Sequence, residues 1–447
     1  MKPRSLEAKI QSYGGPVKML RSSMAGSHNF PLPAQYSSWP EEQRAWAQTA
    51  LLSDMGQHMG SVVFKGPHVL ELFSSLAVNS FANFKRNNAK QFVFCRDDGR
   101  VVGDGVVVAL EDDEFEVLAI PVNANWLQYQ AQARELKIQV TDDPPTGMNS
   151  KGRRFYRYQV QGPRALEILE TATGASIPDI KFFHVGDLEI AGLKVRALSH
   201  TMSRKAGFEL FGPRADGPVV LAALREAGRR FGMRESGAIS LPTNSYESGW
   251  LGLQVPAIYS GESMKPFREW LSEYGFEGFA SLGGSFTSDS IDDYYVTPWD
   301  IGYGRLIKFD HEFIGRRALE KMAAEPPRRQ KVWLRWNDED VARVLSAGLL
   351  GKAERPKPLG VPYSVYSTFQ NDALLVDGRT VGVSVMCGYT VNVGGWSSLA
   401  IVEARHAVDG AAVEVVWGDA DTSLRPLATE KHVLTKIRAT VSTRPLA

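Results

Sequence analysis

The sequence predicts an α+β fold with two related α/β halves and a β-rich C-terminal region. A strand, a Gly-Pro turn and a helix occur in this order twice, around Gly66-Pro67 and Gly162-Pro163. Strand-like stretches lie between and after these two units. At 325–331 (EPPRRQK) the chain becomes polar and contains prolines, and short strand candidates with barrel-like spacing follow. We therefore expect a core in two parts, 1–150 and 151–326, and a β domain at 327–447.

The individual elements follow from local patterns. The first 40 residues look loop-like, because Gly14-Gly15-Pro16 and Pro31-Leu32-Pro33 interrupt them. Pro40 followed by acidic residues predicts a helix start. The other predicted elements are helices at 68–77 and 164–171, core strands at 60–65, 101–109, 114–119, 155–160, 187–198 and 207–211, and C-terminal strands at 331–335, 361–367, 380–386, 397–403 and 411–416.

Composition excludes several classes of function. The chain has 447 residues, with 51 Lys or Arg against 50 Asp or Glu, so its net charge of +1 disfavours a nucleic-acid binder. Apolar runs fall short of the roughly 18 residues that a bilayer span needs, and the N-terminus lacks the apolar core of a secretory signal. Two cysteines, Cys95 and Cys387, favour a reducing cytosol. The scattered histidines predict no metal site.

A search for general catalytic and nucleotide-binding motifs identifies no active site. We find no Walker A loop, no G-x-S-x-G elbow and no complete G-x-G-x-x-G. Gly302-Tyr303-Gly304 is interpreted as a turn that needs a positive φ. The acidic run at 111–114 is interpreted as a solvated hairpin tip. From these patterns alone, the sequence predicts a cytosolic α+β protein with a β appendage.

Several stretches together resemble the folate-binding aminomethyltransferase family, which includes the T-protein of the glycine cleavage system. They are GDGVVV (103–108), QGPRALEIL (161–169), GFELFGP (207–213), ESGW (247–250) and DIGYGRLIKFDHEFIGRRALE (300–320), in the family's order. Within the family, the chain is most similar to the tetrahydrofolate-dependent aromatic O-demethylases. That likeness rests on SSWPEEQRAWAQTALL (37–52), NNAKQF (87–92), NWLQYQAQ (125–132), KFFHVGDLEIAGLKVRALSH (181–200) and LGGSFTSDSIDDYYVTPWDIGYG (282–304).

The resemblance implies a three-domain T-protein-like cloverleaf with a C-terminal β-barrel and with tetrahydrofolate in a central channel. It also implies transfer of a one-carbon unit from a small aromatic ether to folate N5, with no lipoyl carrier. By the same resemblance Glu209 binds the pterin edge, Trp250 lies beside the pterin, and Asp104 matches the catalytic aspartate near the folate. The other implied folate contacts are Gln91, Gln159 and the backbone near Leu118.

At the substrate end, His58 matches a histidine that would donate a hydrogen bond or a proton to the ether oxygen. Three polar substrate contacts of the vanillate-type enzymes are replaced here by apolar residues. Their tyrosine at the ether oxygen corresponds to Leu241, their carboxylate-binding arginine to Ile120, and a tyrosine near the channel mouth to Phe30. An unpaired carboxylate would be costly to bury in such a pocket, so we expect a neutral substrate.

One branch member suits an apolar pocket: the enzyme that moves the methylene bridge of sesamin to tetrahydrofolate, giving a catechol and 5,10-methylenetetrahydrofolate. We therefore expect a methylenedioxyphenyl substrate, bound partly by Tyr259. Demethylation of a vanillate- or syringate-type methoxyarene to 5-methyltetrahydrofolate stays open, as does an aminomethyltransferase with an amine donor. Candidate donors to the oxygen besides His58 are His28, Tyr246, Tyr259 and Cys387.

Overall fold

The computed structural model describes residues 3–27, 31–200, 205–350, 354–425 and 428–447. Its helices are α1 (Leu6–Ser12), α2 (Pro16–Arg21), α3 (Trp39–Gln48), α4 (Val69–Leu76), α5 (Pro121–Ala133), α6 (Ala165–Thr173), α7 (Gly217–Arg229), α8 (Thr243–Ser248), α9 (Lys265–Trp270), α10 (Phe276–Phe279), α11 (Arg316–Ala323) and α12 (Asp338–Leu350). No helix among these residues is both long and apolar enough to cross a membrane.

The strands are β1 (Leu51–Asp54), β2 (Ser61–Lys65), β3 (Ala89–Cys95), β4 (Val101–Ala109), β5 (Glu114–Ala119), β6 (Gln139–Asp143), β7 (Phe155–Gln161), β8 (Val185–Ile190), β9 (Leu193–Ser199), β10 (Gly207–Pro213), β11 (Arg234–Glu235), β12 (Leu282–Gly283), β13 (Arg329–Trp336), β14 (Phe369–Gln370), β15 (Asp372–Val376), β16 (Arg379–Thr390), β17 (Gly395–Glu403), β18 (Ala412–Trp417) and β19 (Thr435–Ser442).

These strands form two large open sheets, a two-stranded sheet of β12 and β14, and a closed barrel. Within the described ranges, the first sheet has the order β3-β4-β5-β2-β6 and the second sheet has the order β11-β1-β7-β10-β9-β8. The barrel closes in the order β13-β17-β16-β15-β18-β19. Each sheet packs helices on one face, and an apolar cluster that includes Val63, Leu118, Leu198 and Phe211 joins the other two faces. The predicted fold class, two α/β units and a C-terminal β-barrel, is confirmed.

Both predicted strand–turn–helix units are present, one in each sheet. Gly66 lies between β2 and α4 with a φ of 141°, and Gly162 lies between β7 and α6 with a φ of 131°. A β-carbon at Gly66 would lie 2.5 Å from the carbonyl oxygen of Lys137, and one at Gly162 would lie 2.6 Å from that of Thr49. Only glycine fits such a φ and such close approach, so the same constraint recurs in both halves.

Three predictions about elements are wrong. The first 40 residues contain α1 and α2, because Ser5 caps a helix whose Leu6 and Ile10 are buried on one face. The stretch 187–198 is a hairpin, because Ala191 (φ 51°) and Gly192 (φ 77°) form a tight turn between β8 and β9. The stretch 361–367 is irregular, since Pro362 lacks the N–H that a ladder requires, and only an isolated bridge joins Tyr363 to Gly388.

The GDG segment of β4 is fixed by its packing against α5. A β-carbon at Gly103 would overlap the side chain of Asn123, and one at Gly105 would lie 2.6 Å from the side chain of Ala119. The Asn123 amide donates a hydrogen bond to the main-chain oxygen of Asp104. Gly103 therefore lets α5 approach the strand closely, Gly105 does the same for β5, and Asn123 holds the backbone of Asp104.

We expect Gly103→Ala to lower the free energy of unfolding by about 1–3 kcal/mol, because the added methyl group overlaps Asn123. Urea denaturation measures this loss. Gly26→Ala is the matched control, since a β-carbon at Gly26 has no heavy atom within 4 Å. Equal stability of the two variants would contradict the packing role of Gly103.

Candidate functional site

The predicted folate residues of the first sheet lie on one face, in two adjacent rows. Gln91 pairs with Val106, Val106 with Leu118, and Leu118 with Ser61, so these side chains form a row across four strands. Side chains alternate along a strand, so Asp104, two residues before Val106, points to the same face. The structure therefore brings Gln91, Leu118 and Asp104 together.

The second sheet presents a matching row. Ser53 pairs with Gln159, Gln159 with Glu209, and Glu209 with Leu198. Leu198 also belongs to the apolar cluster between the sheets, so this row faces the first sheet. Gln159 and Glu209 thus face the surface that carries the first-sheet residues.

A buried arginine joins the two faces. Arg157 Nη2 donates to Glu116 Oε2 of β5 at 2.6 Å, and Nη1 donates to Glu209 Oε2 of β10 at 3.0 Å. The Arg157 side chain is 1% exposed, and its guanidinium lies 4.7 Å from the centre of the Phe211 ring. This contact fixes Glu209, from one sheet, relative to Glu116, from the other.

Glu209 is an ionised carboxylate. Burial alone would raise its pKa, but the hydrogen bond from His200 Nδ1 to Oε1 (2.9 Å) and the charge of Arg157 outweigh burial and lower the pKa to about 2. Gln159 Nε2 also donates to Oε1, at 3.2 Å. A carboxylate in this state accepts further N–H bonds well, which suits the edge of a pterin.

His200 was not among the predicted site residues, although it lies in a stretch that carries the resemblance. It follows Leu198 by two residues and Leu198 pairs with Glu209, so strand alternation could have indicated it. The ring of Phe183 stacks on it with a centroid distance of 5.3 Å. His200 therefore belongs to the surroundings of Glu209.

Asp104 has neutral partners. Gln91 Nε2 and the Tyr303 hydroxyl both donate to Asp104 Oδ2 at 2.6 Å, and Trp250 Nε1 lies 3.4 Å from the same oxygen. The side chain of Gln254 also hydrogen-bonds to Asp104. Burial raises the pKa of Asp104 above its usual value, and these hydrogen bonds only partly offset it. Such a carboxylate is suited to accept a proton.

Two loops carry Trp250 and Tyr303 to Asp104. Gly249 ends α8 with a φ of 79°, which turns the chain so that the Trp250 ring reaches the first sheet. Gly302 has a φ of 86°, which confirms the turn predicted for 302–304. Tyr303 itself was missed, since a turn motif says nothing about what its side chain contacts.

His58 lies where the chain crosses between the sheets. β1 ends in the second sheet at Asp54, and β2 begins in the first sheet at Ser61. Asp54 Oδ1 accepts from the Gly56 N–H at 3.1 Å and Oδ2 accepts from Gln57 Nε2 at 2.9 Å, which shapes the turn that His58 closes. The role of His58 at the ether oxygen stays a prediction.

The two apolar replacements are well anchored. Ile120 is partly exposed, precedes α5 and follows Ala119, which pairs with Gly105, so its backbone lies next to that of Asp104, while its side chain packs against the first core cluster. Leu241 is 7% exposed and closes a turn whose Gly237 N–H donates to buried Glu42 at 2.9 Å. Their role as the substrate wall stays a prediction.

The remaining predicted residues fall elsewhere. The Tyr259 hydroxyl donates to the Glu277 carbonyl oxygen at 3.0 Å inside the first core, so we leave Tyr259 out of the proposed site. Cys387 Sγ is buried against the Ser364 carbonyl oxygen at 3.1 Å in the barrel. Tyr246 is buried against the barrel strand at Gly388. Phe30 and His28 lie outside the described residues.

We expect Arg157→Met to lower the free energy of unfolding by about 3–5 kcal/mol, because it leaves two buried carboxylates facing each other without a cation. Urea denaturation measures it. The control is Arg154→Met, since the Arg154 side chain is 41% exposed and 3.7 Å from Glu114. That variant should cost less than about 1 kcal/mol. Similar losses in both variants would mean that Arg157 does not hold the sheets.

Comparison with known proteins supports the resemblance. A family model described as the GCVT N-terminal domain matches residues 17–254. Syringate O-demethylase of Sphingobium sp. strain SYK-6 is 39% identical over 444 residues, covering 99% of this chain and 96% of that protein. Sesamin methylene transferase of Sinomonas sp. strain No.22 is 29% identical, covering 95% of this chain and 92% of that protein.

The crystal structure of glycine cleavage system aminomethyltransferase T from Bartonella henselae has a TM-score of 0.61 at 16% identity, covering 94% of this chain and 91% of that one. This likeness confirms the T-protein-like fold. Taken with the family model and the two relatives, it shows that the chain belongs to the tetrahydrofolate-dependent aromatic O-demethylase branch of the aminomethyltransferase family and transfers a methyl or methylene group to tetrahydrofolate.

Proposed function

We propose that the protein demethylates a lignin-derived methoxyarene of the syringate type, giving a phenol and 5-methyltetrahydrofolate. The observation that carries this proposal is a buried carboxylate, Asp104, held by neutral donors on the sheet face that also carries the apolar side chains of Val106 and Leu118. This arrangement offers a proton acceptor next to a surface suited to an aryl ring. The near full-length similarity to syringate O-demethylase supports the choice of substrate class.

Polar atoms of the two facing rows fit tetrahydrofolate. The Ser53 and Ser61 hydroxyls are buried, with exposures of 1% and 3%, and have no hydrogen-bond partner among the described residues. Ser53 lies in the row of Gln159 and Glu209, and Ser61 lies in the row of Leu118. Buried hydroxyls without partners are costly, so a ligand with both donors and acceptors suits them.

In this proposal Glu209 and Gln159 hold the pterin edge, and Trp250 packs beside it. When bound, tetrahydrofolate would supply the nitrogen nucleophile for the methyl carbon. Asp104 would accept the proton that this nitrogen gives up. His58 donates to the ether oxygen as the carbon–oxygen bond breaks, so that the phenol leaves protonated.

The apolar wall sets what the substrate carries. The backbone of Ile120 lies next to Asp104, whose hydrogen-bonding partners among the described residues are neutral, so a substrate carboxylate placed there would meet a negative charge without a compensating cation from them. Arg157, the arginine nearest in the facing rows, already pairs with two carboxylates. A carboxylate on the substrate ring would therefore point away from this wall. Removing that carboxylate from the substrate should change kcat/KM little.

Methylene transfer from a methylenedioxyphenyl compound is the second candidate. The relative named sesamin methylene transferase covers 95% of this chain, and Leu241 stands where a vanillate-type enzyme has its tyrosine. One oxygen of a methylenedioxy carbon can assist departure of the other, so this reaction needs a weaker acid. Assigning the substrate requires comparing both ether types.

We expect purified protein with tetrahydrofolate to demethylate syringate and its neutral counterpart 2,6-dimethoxyphenol with kcat/KM values within roughly tenfold, because no buried clamp for the carboxylate is lost. Mass spectrometry of the folate product distinguishes methyl from methylene transfer. Asp104→Asn is the control and should lower kcat by about 100-fold or more. Turnover of sesamin alone would favour the second candidate, and turnover of none would refute the proposal.

We expect Ser61→Ala to weaken tetrahydrofolate binding about five- to tenfold, the effect of one lost hydrogen bond, while the ligand-free protein keeps or gains stability. Fluorescence titration and thermal melting measure the two effects. The control is Ser398→Ala in the barrel, since the Ser398 hydroxyl accepts from Trp336 Nε1 at 3.0 Å. It should lower stability and leave folate affinity unchanged. Loss of stability in Ser61→Ala without weaker binding would contradict the assignment.

A further inference from the structure

We propose that Tyr303 is a positioning residue, which holds Asp104 in the orientation and charge state that proton acceptance requires. The inference rests on the proposed role of Asp104 as proton acceptor and adds a residue from the far end of the core, 199 positions along the chain. Tyr303 acts through Asp104, so nothing requires it to touch the substrate.

The direction of the hydrogen bond follows from the donors present. A tyrosine hydroxyl has one proton to donate. Gln91 Nε2, itself a donor, lies 3.3 Å from the Tyr303 oxygen and 2.6 Å from Asp104 Oδ2. The amide of Gln91 thus supplies protons to both oxygens, which leaves the Tyr303 proton directed at the carboxylate. The three groups form a closed set that fixes the position of Asp104 Oδ2.

Tyr303 remains a donor across the working pH range. Burial and the neighbouring charge of Asp104 raise the pKa of its hydroxyl well above the usual value. A phenol that keeps its proton stabilises the charged form of Asp104, and it does so more strongly in a buried site than in water.

The loop that carries Tyr303 is anchored to the barrel. The Tyr303 N–H donates to the Pro298 carbonyl oxygen at 2.7 Å, and Asp300 Oδ2 accepts from the Thr297 N–H at 2.8 Å. Arg329, the first residue of β13, donates to Asp300 Oδ2 at 2.6 Å and to the Tyr295 carbonyl oxygen at 2.8 Å. The barrel thereby holds the loop in a single geometry over Asp104.

Charged groups near Asp104 are directed elsewhere. The Lys331 ammonium donates to the Gly249 carbonyl oxygen at 2.6 Å and lies beside Gly302, and Arg329 pairs with Asp300. The four side chains that hydrogen-bond to Asp104 are all neutral. Since the hydrogen bonds to Asp104 from the part of the chain that the structure describes all come from neutral groups, the loss of one of these donors should be measurable.

The test is Tyr303→Phe, which removes the hydroxyl and keeps the ring. The protonated carboxyl group of Asp104 is followed by infrared absorption as the pH falls and is assigned by its absence in Asp104→Asn. Loss of a donor to the charged form raises the pKa of a carboxyl group. The midpoint should therefore move to higher pH by roughly one unit, and the acid limb of kcat/KM should move with it.

The control is Tyr294→Phe, another buried tyrosine, whose hydroxyl accepts from Arg21 at 3.2 Å and from the Ser288 N–H at 3.0 Å. It should leave the Asp104 titration unchanged. Replacement of Tyr303 by 3-fluorotyrosine keeps size and packing but donates more strongly, so it should shift the midpoint to lower pH. This second variant serves if Tyr303→Phe does not fold.

An unchanged midpoint in both Tyr303 variants would overturn the inference. The infrared titration needs no turnover, so it separates this inference from the proposed function. If the wild-type protein demethylates no aryl ether but the midpoint shifts as expected, the proposed function fails and the positioning role stands. If turnover is normal and the midpoint does not shift, the positioning role fails alone.

Discussion

The site depends on one buried interaction, the guanidinium of Arg157 between a carboxylate from each sheet. A charge in this position is costly to bury unless both partners are fixed, so Glu116 and Glu209 constrain each other through it. Because Glu116 and Leu118 lie on one strand face, and Arg157 and Gln159 on another, fixing this triad also fixes the rows next to it. The separation of the two faces at this point follows from this contact.

Two carboxylates of the site are in opposite electrostatic environments. Glu209 has a cation and a histidine as partners, and its pKa falls to about 2. Asp104 has two amides, an indole and a phenol as partners, and burial raises its pKa. The first is therefore suited to permanent charge and recognition, and the second to gaining and losing a proton. Different environments give the same functional group two roles.

Local sequence patterns correctly predicted the elements that depend on neighbouring residues alone. Both Gly-Pro units and most strands followed from alternation, periodicity and turn chemistry, as at Gly66 and Gly162. The helices before residue 22 were missed, because glycine and proline between them masked two short periodic segments. The resemblance, more than any pattern, indicated Glu209 and Asp104. Tyr303 could not be found either way, since its contact with Asp104 joins loops and strands distant in the chain.

Arg329 belongs to the barrel by its strand and to the core by its ion pair with Asp300. Because Arg329 contacts both parts, the barrel cannot be exchanged for that of another protein without regard to this residue. A chimaera that took its last third from a distant homologue would keep a folded barrel but lose activity unless the graft brought a guanidinium to the same corner. The residue that opens the first barrel strand therefore has to be retained together with the loop that carries Tyr303.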